Sequence, residues 1–243
     1  MGGLSEKTMN YQHLALIYDA IMGDSDGVNK YAEMLQDVLK KGKILDLACG
    51  TGDLTITLSD RGYQMTGLDL SEPMLEIAKK KSKSDELRFF CADMLDFDLH
   101  EEFDGVVCAN DSVNYCSSLE QIAKLFEGVN RHLTMDGVFV FDYHQVSRLE
   151  EFKEAFDEEG LIDGVGYWWH IESEPPIIRH TITIYFNGYP VVEEHDQTVF
   201  DLDEILTLLH SKGFRHQMIE SSAYDGLYAN EKWMIMAIKE RDI

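Results

Sequence analysis

The chain has 243 residues, of which 44% are hydrophobic and 27% are charged, so its composition excludes disordered and collagen-like proteins. The 21 Lys and Arg residues face 45 Asp and Glu residues, which gives a formal net charge of −24. A chain this acidic repels phosphate backbones and anionic membrane surfaces. We therefore expect neither a nucleic acid nor a membrane among its partners.

The four cysteines, at positions 49, 91, 108 and 116, form no CxxC pair and no His/Cys cluster with zinc-ligand spacing. We therefore expect no disulfide framework and no metal site, and we expect the reducing cytoplasm as the location. The first residues of the chain contain no apolar signal core, and no stretch approaches transmembrane length.

Apolar side chains recur at helical spacing in residues 10–22 and 26–40, which predicts two helices ahead of the first strand. From Lys43 to about residue 144, short apolar runs alternate with helical stretches. One of these helices has Ser71 at the N-cap position and Pro73 in its first turn. Continuous apolar strands that alternate with helices are buried on both faces, so this pattern predicts a doubly wound parallel sheet.

Beyond about residue 160 the pattern changes to long β-rich segments, and Asn187-Gly188 is a hairpin turn signal between two of them. Alternation in the middle segment places isoleucines on one face. The opposite face carries Arg179, Thr181, Thr183 and Tyr185. We expect this second face to be wet or ligand-facing. A helix that ends at Gly213 and two final strands follow.

Small and acidic residues stand where the first three strands end. The segment ILDLACGTGDL, residues 44–54, has Asp46 at its strand end and small residues at alternate positions of the following turn, where a ligand can approach the backbone. Asp69 ends the next strand, 23 residues after Asp46, and Asp93 follows the third strand. The carboxyl ends of parallel strands form the edge at which open α/β sheets bind ligands, and a carboxylate there can hold ribose hydroxyls.

These features resemble the class I S-adenosylmethionine-dependent methyltransferases, in the small-molecule branch with N-terminal lid helices and a β-rich insertion. The resemblance covers nearly the whole chain. It implies a Rossmann-like α/β fold with a doubly wound, seven-stranded, mostly parallel sheet whose last strand is antiparallel, plus a small antiparallel β insertion. The expected division is a main domain of residues 1–144 and 200–243 and an insertion of residues 145–199. The implied cofactor is S-adenosyl-L-methionine, with S-adenosyl-L-homocysteine as product.

The resemblance also carries cofactor-binding roles onto residues of this chain. The turn that packs against the methionine part of the cofactor is matched by Ala48, Cys49, Gly50 and Thr51. Ala48 replaces the family's first glycine, which adds a methyl group to the pocket. The ribose carboxylate falls on Asp69, with Leu70 and Met74 against the adenine. The adenine-amino acceptor falls on Asp93, with the Met94 amide nearby. We expect Asp46 beside the cofactor, with contact through water.

Two further segments are placed by the same resemblance. Asn110, Asp111 and Ser112 follow the fourth strand and fall beside the sulfonium and the substrate entrance. Tyr11 and Tyr18 of the N-terminal lid helix would close over the cofactor. One of the adjacent Trp168 and Trp169 side chains would line the substrate pocket, because neighbours in a strand point to opposite faces.

Two other functions are alternatives to methyl transfer. A nicotinamide-dependent oxidoreductase needs G-x-G-x-x-G, and the spacing Ala48-Cys-Gly50-Thr-Gly52-Asp-Leu lacks it. A module that binds S-adenosylmethionine without turnover would share every cofactor residue, so a turnover assay separates it from an enzyme.

The predicted reaction is an in-line displacement by a nucleophile of an unidentified, small-molecule acceptor. Alignment and a dry pocket are the main contributions of the protein, and a dedicated base is optional. Candidates for such a base are His144, Tyr143, Tyr115 and His170. Arg179 and His180 suggest an anionic group on the acceptor. The acceptor atom stays open, and a homodimer through the insertion is compatible with the sequence.

Overall fold

The computed structural model describes residues 13–22, 25–186, 188–220 and 231–240. Its α-helices are α1 (Tyr18–Met22), α2 (Ser25–Val38), α3 (Asp53–Asp60), α4 (Glu72–Lys81), α5 (Leu119–His132), α6 (Ser147–Glu151) and α7 (Leu202–Ser211). Its first five strands are β1 (Lys43–Leu47), β2 (Gln64–Asp69), β3 (Arg88–Cys91), β4 (Phe103–Cys108) and β5 (Leu133–His144). The remaining strands are β6 (Phe156–Ile162), β7 (Val165–Glu174), β8 (Ile177–Phe186), β9 (Tyr189–Thr198), β10 (Phe214–Met218) and β11 (Lys232–Lys239).

Seven strands form the main sheet in the order β10-β11-β5-β4-β1-β2-β3. The five strands from β3 to β5 in this order pair in parallel, whereas β11 runs antiparallel to both of its neighbours. From β1 the chain builds the sheet outward in two directions, through β2 and β3 on one side and through β4 and β5 on the other. Doubly wound sheets open a crevice for ligands where the direction changes. The predicted Rossmann-like sheet with its antiparallel last strand is confirmed.

Two apolar clusters bury the two faces of this sheet. On one face α2 and α3 pack their buried side chains, such as Leu35 and Leu58, against the strands. On the other face α5 and α7 do the same, with Phe126 and Leu209. Burial of both faces explains why the strands read as continuous apolar runs in the sequence. The helix starts follow local rules: Ser71 and Ser118 accept backbone N–H groups as the N-caps of α4 and α5.

Four antiparallel strands, β6 to β9, form a second sheet in chain order. Phe186 pairs with Tyr189, so β8 and β9 are joined by two residues, as the hairpin signal predicts. Asn187 itself lies outside the described residues, and Gly188 has the positive φ of 82° that such a turn requires. The division of the chain at residues 144/145 and 199/200 stays a prediction.

The start of the described chain differs from the continuous helix predicted for residues 10–22. A 3₁₀ turn, Leu14–Leu16, comes first, and Ile17, with φ −123° and ψ 1°, separates it from α1. The carboxylate of Glu193, on β9, accepts the backbone N–H groups of His13 and Leu14 at 2.8 and 3.3 Å. A contact 180 residues away in the chain therefore caps this turn, and local periodicity carries no signal of it.

Candidate functional site

A cavity of about 820 Å³ lies at the carboxyl ends of β1, β2, β4 and β5. One half is lined by the turns that follow these strands, and the other half by α6 and the inner face of the second sheet. Its volume falls within the range of about 300–1,000 Å³ that is typical of ligand pockets. We refer to the two parts as the strand-end half and the insertion half.

The turn after β1 brings backbone to the wall of the strand-end half. Ala48, Gly50 and Gly52 have φ values of 55°, 55° and 79°, in the left-handed region. Ala48 therefore adopts a conformation that favours glycine. The Cys49 N–H donates to the Leu68 carbonyl at 3.0 Å, which joins this turn to β2. Burial raises the pKa of the Cys49 thiol well above its usual range, so it lines the cavity as a neutral group.

Asp69 ends β2 and fixes two turns at once. One carboxylate oxygen accepts the Gly50 N–H and the other accepts the Ser71 N–H, both at 2.8 Å. Burial raises the pKa of Asp69, and these backbone hydrogen bonds oppose the rise. Each of its two oxygens thus has one protein partner. Since each oxygen has two lone pairs, acceptor capacity remains for a ligand.

Asp46 lies deeper, at the floor of the cavity, with 2% of its surface exposed. One of its oxygens accepts a hydrogen bond from the Thr55 hydroxyl at 2.5 Å. Burial raises the pKa of Asp46 from its ordinary value of 3.8 to about 7, with the Thr55 hydrogen bond opposing the rise and Asp69 adding to it. Asp46 is therefore poised between its charged and neutral forms near neutral pH.

The remaining predicted strand-end residues line the same half. Leu70 is exposed and Met74 is buried, and both line the cavity beside Asp69. Asp93 is exposed, and its carboxylate accepts the Leu95 N–H at 2.8 Å within the turn after β3. Met94 lines the wall next to it. This places the predicted adenine-contacting residues around one end of the cavity.

Asn110 and Asp111 form the turn after β4, both in the left-handed region with φ values of 57° and 59°. Their backbone N–H groups donate to the two carboxylate oxygens of Asp142, at 2.8 and 2.5 Å, and the Tyr31 hydroxyl donates to the same carboxylate at 2.9 Å. Asp142 is fully buried on β5, and burial raises its pKa while Lys232 opposes the rise. This carboxylate holds the turn between the two halves of the cavity.

The helix α1 lies over the strand-end half. Asp19 accepts a hydrogen bond from the Thr51 hydroxyl at 2.5 Å and pairs with Lys81 at 2.8 Å, and Lys81 also pairs with Asp53 at 2.5 Å. Tyr18 lines the cavity, and burial, with a contribution from Asp69, raises its pKa to about 12. Tyr11 lies outside the described residues.

The inner face of the second sheet supplies the polar wall of the insertion half. The Trp169 indole N–H donates to Nδ1 of His180 at 3.2 Å, and Nε2 of His180 lies 3.1 Å from Oε1 of Gln197. Nε2 of His144, at the end of β5, lies 2.9 Å from the same Gln197 oxygen. Burial lowers the pKa of His180 to about 4, so this imidazole is neutral.

Three strand ends of the main sheet meet this wall. Lys232 pairs with His144 across β11 and β5, and Asp111 follows β4. The Asp111 carboxylate lies between them, with Oδ2 3.0 Å from Nζ of Lys232 and Oδ1 3.4 Å from Nδ1 of His144. His195 also lines the insertion half, where its ring meets that of Tyr115 edge to face.

The structure corrects three sequence-based expectations. Tyr143 points away from the cavity, because it alternates with His144 along β5, and its hydroxyl bonds the backbone of Thr198 and Phe200. His170 alternates with Trp169 in the same way and bonds Asp157 at 2.9 Å outside the cavity. Among the four candidate bases, His144 and Tyr115 line the cavity.

The third correction concerns the ligand-facing alternative that was given for the Arg179 face of the insertion. The isoleucine face, which also carries His180, lines the cavity, whereas Arg179 on the opposite face pairs with Asp196 at 2.7 Å. Aliphatic residues at either end of this face pack on the lid and on α6, and the polar residues between them face the cavity. Arg179 is therefore placed in an ion pair and not in the pocket.

The described parts of the chain contain no cluster of three or more His, Cys, Asp or Glu side chains that could hold a metal ion. Within those same parts, no helix is both long and apolar enough to cross a membrane.

Comparisons with known proteins agree with this geometry. Residues 44–137 match the family model described as a methyltransferase domain. The protein YqeM of Bacillus subtilis (strain 168), which is named as a methyltransferase without a stated acceptor, is 32% identical over 230 residues, covering 89% of this chain and 91% of its own. An N,N-dimethyltransferase of Saccharopolyspora spinosa that acts on dTDP-4-amino-2,3,4,6-tetradeoxy-D-glucose is 31% identical over 132 residues, or 52% of each chain.

The crystal structure of an S-adenosylmethionine-dependent methyltransferase from Clostridium acetobutylicum superposes with a TM-score of 0.77 at 26% identity, and the match covers 95% of this chain and 99% of that one. The shared sheet, the strand-end cavity and the near full-length similarity to YqeM lead to one assignment. The chain belongs to the class I S-adenosylmethionine-dependent methyltransferases.

Proposed function

We propose that this methyltransferase binds S-adenosylmethionine in the strand-end half of its cavity and methylates a small molecule bound in the insertion half. The observation that carries the proposal is the continuity of the two halves in one cavity of about 820 Å³. Two ligands in such a cavity can meet at the Asn110-Asp111 turn. The methylated nucleotide sugar of the Saccharopolyspora relative supports an acceptor of this size class.

The residues of the strand-end half fit the cofactor. The Asp69 carboxylate retains lone pairs for the ribose hydroxyls, and Leu70, Met74 and the Met94 segment offer apolar contact and backbone groups to the adenine. A Cβ built at Gly50 would meet no atom within 4 Å, so this turn leaves open space beside its backbone for the methionine part.

Two further side chains complete the cofactor site. Tyr18, whose raised pKa keeps its hydroxyl protonated, lies over the cavity and can act as a hydrogen-bond donor. Asp46 lies beneath the turn after β1, where its contact with the cofactor would run through water.

When bound, the cofactor supplies a methyl group on a sulfonium that is already activated toward nucleophiles. The chain's own residues have to orient the acceptor and keep water out. The Asn110-Asp111 turn, held by Asp142, forms the boundary at which the two ligands would meet, and the lid helix with the second sheet covers it.

Methyl-labelled S-adenosylmethionine tests this function. The protein is incubated with the label and with a cell extract divided by ultrafiltration into small molecules and macromolecules. We expect label to enter the small-molecule fraction and expect Asp69→Asn to reduce it. Label that enters only the macromolecular fraction would contradict the proposed acceptor class.

The cytoplasmic location and a homodimer through the insertion both remain proposals. Four free cysteines in the structure are compatible with a reducing compartment, which cell fractionation would test. Sedimentation of the purified protein would test for the dimer.

A further inference from the structure

We propose that the methyl acceptor is an amine, and that its N–H groups are bound by two hydrogen-bond acceptors that face each other, Oδ1 of Asp111 and Nδ1 of His144. This proposal rests on the function proposed above, because it concerns the acceptor half of the same cavity. It is derived from the direction of each hydrogen bond in the polar wall.

The direction of these bonds is fixed by Trp169. An indole nitrogen can only donate, so Nδ1 of His180 must accept from it. A neutral His180 then carries its hydrogen on Nε2, and it donates to the side-chain amide of Gln197. The Gln197 atom at this position is therefore the oxygen. If it were the amide nitrogen, His180 would have to accept at both ring atoms and would carry no hydrogen at all.

The same oxygen fixes the hydrogen of His144. A carbonyl oxygen can only accept, so Nε2 of His144 donates to Gln197 at 2.9 Å. In a neutral imidazole this leaves a bare lone pair on Nδ1. The indole donor of Trp169 thus determines the hydrogen position of His180, the orientation of the Gln197 amide and the hydrogen position of His144 in turn. Nδ1 of His144, a residue that lines the cavity, is left as a hydrogen-bond acceptor.

Opposite this lone pair lies a second acceptor. Oδ1 of Asp111 is 3.4 Å from Nδ1 of His144, and both atoms are buried without a hydrogen-bond partner among the described residues. Two acceptors cannot bond each other, and a buried polar atom without a hydrogen-bond partner is destabilising. A protonated His144 would satisfy both atoms itself, and with a neutral His144 the pair calls for a donor group with more than one hydrogen, directed at both atoms.

The hydrogen count selects the chemical class of this donor. Water, with two O–H bonds, can occupy this place in the free protein. Among methyl acceptors, an alkylammonium carries three N–H bonds, a hydroxyl carries one O–H bond, and a carboxylate carries none and would face the charge of Asp111. Among the nearby cations, Lys232 pairs with Asp111, and Nη1 of Arg148 pairs with Glu151 at 2.6 Å, while Nε of Arg148 is buried without a hydrogen-bond partner among the described residues. At the pair itself, where two acceptors face each other, a cationic donor is favoured over an anion.

The same pair provides the proton step that an amine needs. An alkylammonium has no lone pair and must lose one proton before it can attack. Nδ1 of His144 takes this proton, and the imidazolium is stabilised by Asp111 across the 3.4 Å gap. The nitrogen lone pair then forms the N–C bond while the electrons of the breaking C–S bond remain on sulfur, so positive charge passes from sulfur to nitrogen.

Matched cyclohexyl probes test the donor requirement by calorimetry, with the protein saturated with S-adenosylhomocysteine at slightly alkaline pH. The probes are cyclohexylamine, cyclohexyltrimethylammonium, cyclohexanol and cis-1,2-cyclohexanediol. We expect the amine to bind at least about tenfold more tightly than the other three, as for one charge-assisted hydrogen bond of about 1.4 kcal/mol. The quaternary probe has the same charge without N–H groups, so it separates charge from hydrogen bonding.

Variants test whether Asp111 and His144 cause the preference for the amine. Asp111→Asn and His144→Gln should each remove most of the preference for the amine, and His144→Asn serves if the Gln variant does not fold. His170→Gln, in which the altered side chain lies outside the cavity, is the matched control and should keep it. In ¹⁵N-histidine-labelled protein we expect the hydrogen of His144 on Nε2 and a shift of the Nδ1 signal with cyclohexylamine.

Four results would overturn the proposal: no binding of cyclohexylamine at tens of millimolar, equal or tighter binding of any other probe, a preference that survives in both variants, or a His144 hydrogen on Nδ1 in the free site. Each of these is distinct from failure of the proposed function, which would appear as absence of S-adenosylhomocysteine binding in the first place.

Discussion

Asp69 accepts one backbone N–H at each of its two oxygens, and these bonds join the turn after β1 to the turn after β2. An amide side chain can accept at only one of its two terminal atoms, so an asparagine could not hold both turns. The carboxylate therefore shapes the pocket as well as lining it. This double role explains why an acidic residue lies at a strand end where burial raises its pKa.

Replacement of Asp69 by Asn should weaken S-adenosylhomocysteine binding at least about tenfold, since it removes a charge-assisted acceptor that is worth about 1.5–3 kcal/mol. Calorimetric titration measures this change. Asp85→Asn, at an exposed position away from the cavity, is the control and should bind as the wild type does. Equal affinity in the Asp69 variant would reject the ribose assignment.

Asp46 should make stability depend on pH. Its pKa is about 7 in the folded protein and near 3.8 when unfolded, so the folded state binds this proton more tightly. The resulting stability is fully present below about pH 3.8 and is lost as the pH rises through about 7.

Asp46→Asn removes this dependence. Between these pH values the free energy of unfolding of the wild type should fall relative to the variant, by up to about 4 kcal/mol at 1.36 kcal/mol per pKa unit. Urea unfolding across the range measures the difference, with Asp60→Asn on the exposed end of α3 as control. A difference that is constant with pH would show that Asp46 titrates normally.

Residues in local motifs could be placed from the sequence, and residues with distant partners could not. Asp46, Gly50 and Asp69 line the cavity because strand ends meet at one edge of a parallel sheet. Gln197 and Lys232 gave no local signal, since their partners lie on strands far away in the chain. Tyr143 and His144 are neighbours in one strand, so only one of them can face the cavity. Which one does so depends on the register and orientation of the strand in the sheet.

At the scale of elements, the turn after β4 depends on β5. Asp142 accepts three hydrogen bonds there, from the backbone of Asn110 and Asp111 and from Tyr31, and it is fully buried. Two consecutive non-glycine residues in the left-handed region are strained, and this carboxylate is what holds them.

Asp142→Asn should lower the free energy of unfolding by about 2–4 kcal/mol, because an amide NH₂ would face backbone donors in a buried site. Tyr31→Phe removes one of the three bonds and should cost about 1–2 kcal/mol. Chemical denaturation gives both values. A smaller loss in the Asn variant than in the Phe variant would contradict this role for Asp142.

The lid helix α1 is held by ion pairs that are partly exposed. Lys81 joins Asp19 of the lid to Asp53 of α3, and such pairs are worth about 0.2–1 kcal/mol. Lys81→Met should therefore speed dissociation of S-adenosylhomocysteine by up to about fivefold.

Stopped-flow displacement measures this rate. Lys79→Met is the matched control, because Lys79 lies on the same helix and pairs with exposed Glu72 instead of the lid. Equal dissociation rates in the Lys81 and Lys79 variants would show that these ion pairs do not hold the lid over the ligand.

Most elements could be predicted because their signals are local: apolar runs for the strands, the Ser71 cap for α4, and Asn187-Gly188 for the hairpin. The ligand-facing side of the second sheet was not predictable in the same way. Alternation separates two faces but does not say which one is covered, and here the isoleucine face also carries His180 and Gln197 toward the cavity.

At the scale of the molecule, two sheets share one cavity. The main sheet contributes strand-end turns that fit a nucleoside-containing cofactor, and the second sheet contributes a polar wall of aromatic and imidazole groups. Because the His144 and Asp111 acceptors belong to the main sheet and meet this wall, specificity would arise where the two sheets meet. The net charge of −24 favours the approach of cations to this molecule.

The central claim is that the strand-end half of the cavity binds S-adenosylmethionine, and calorimetric titration with S-adenosylhomocysteine tests it most directly, with NADH and NADPH titrated in parallel. We predict a dissociation constant in the micromolar range, about −8 kcal/mol, for S-adenosylhomocysteine and no heat of binding for either nicotinamide. Binding of NADH or NADPH with no response to S-adenosylhomocysteine would contradict the assignment of the Gly50-Thr51-Gly52 turn and of the site built on it.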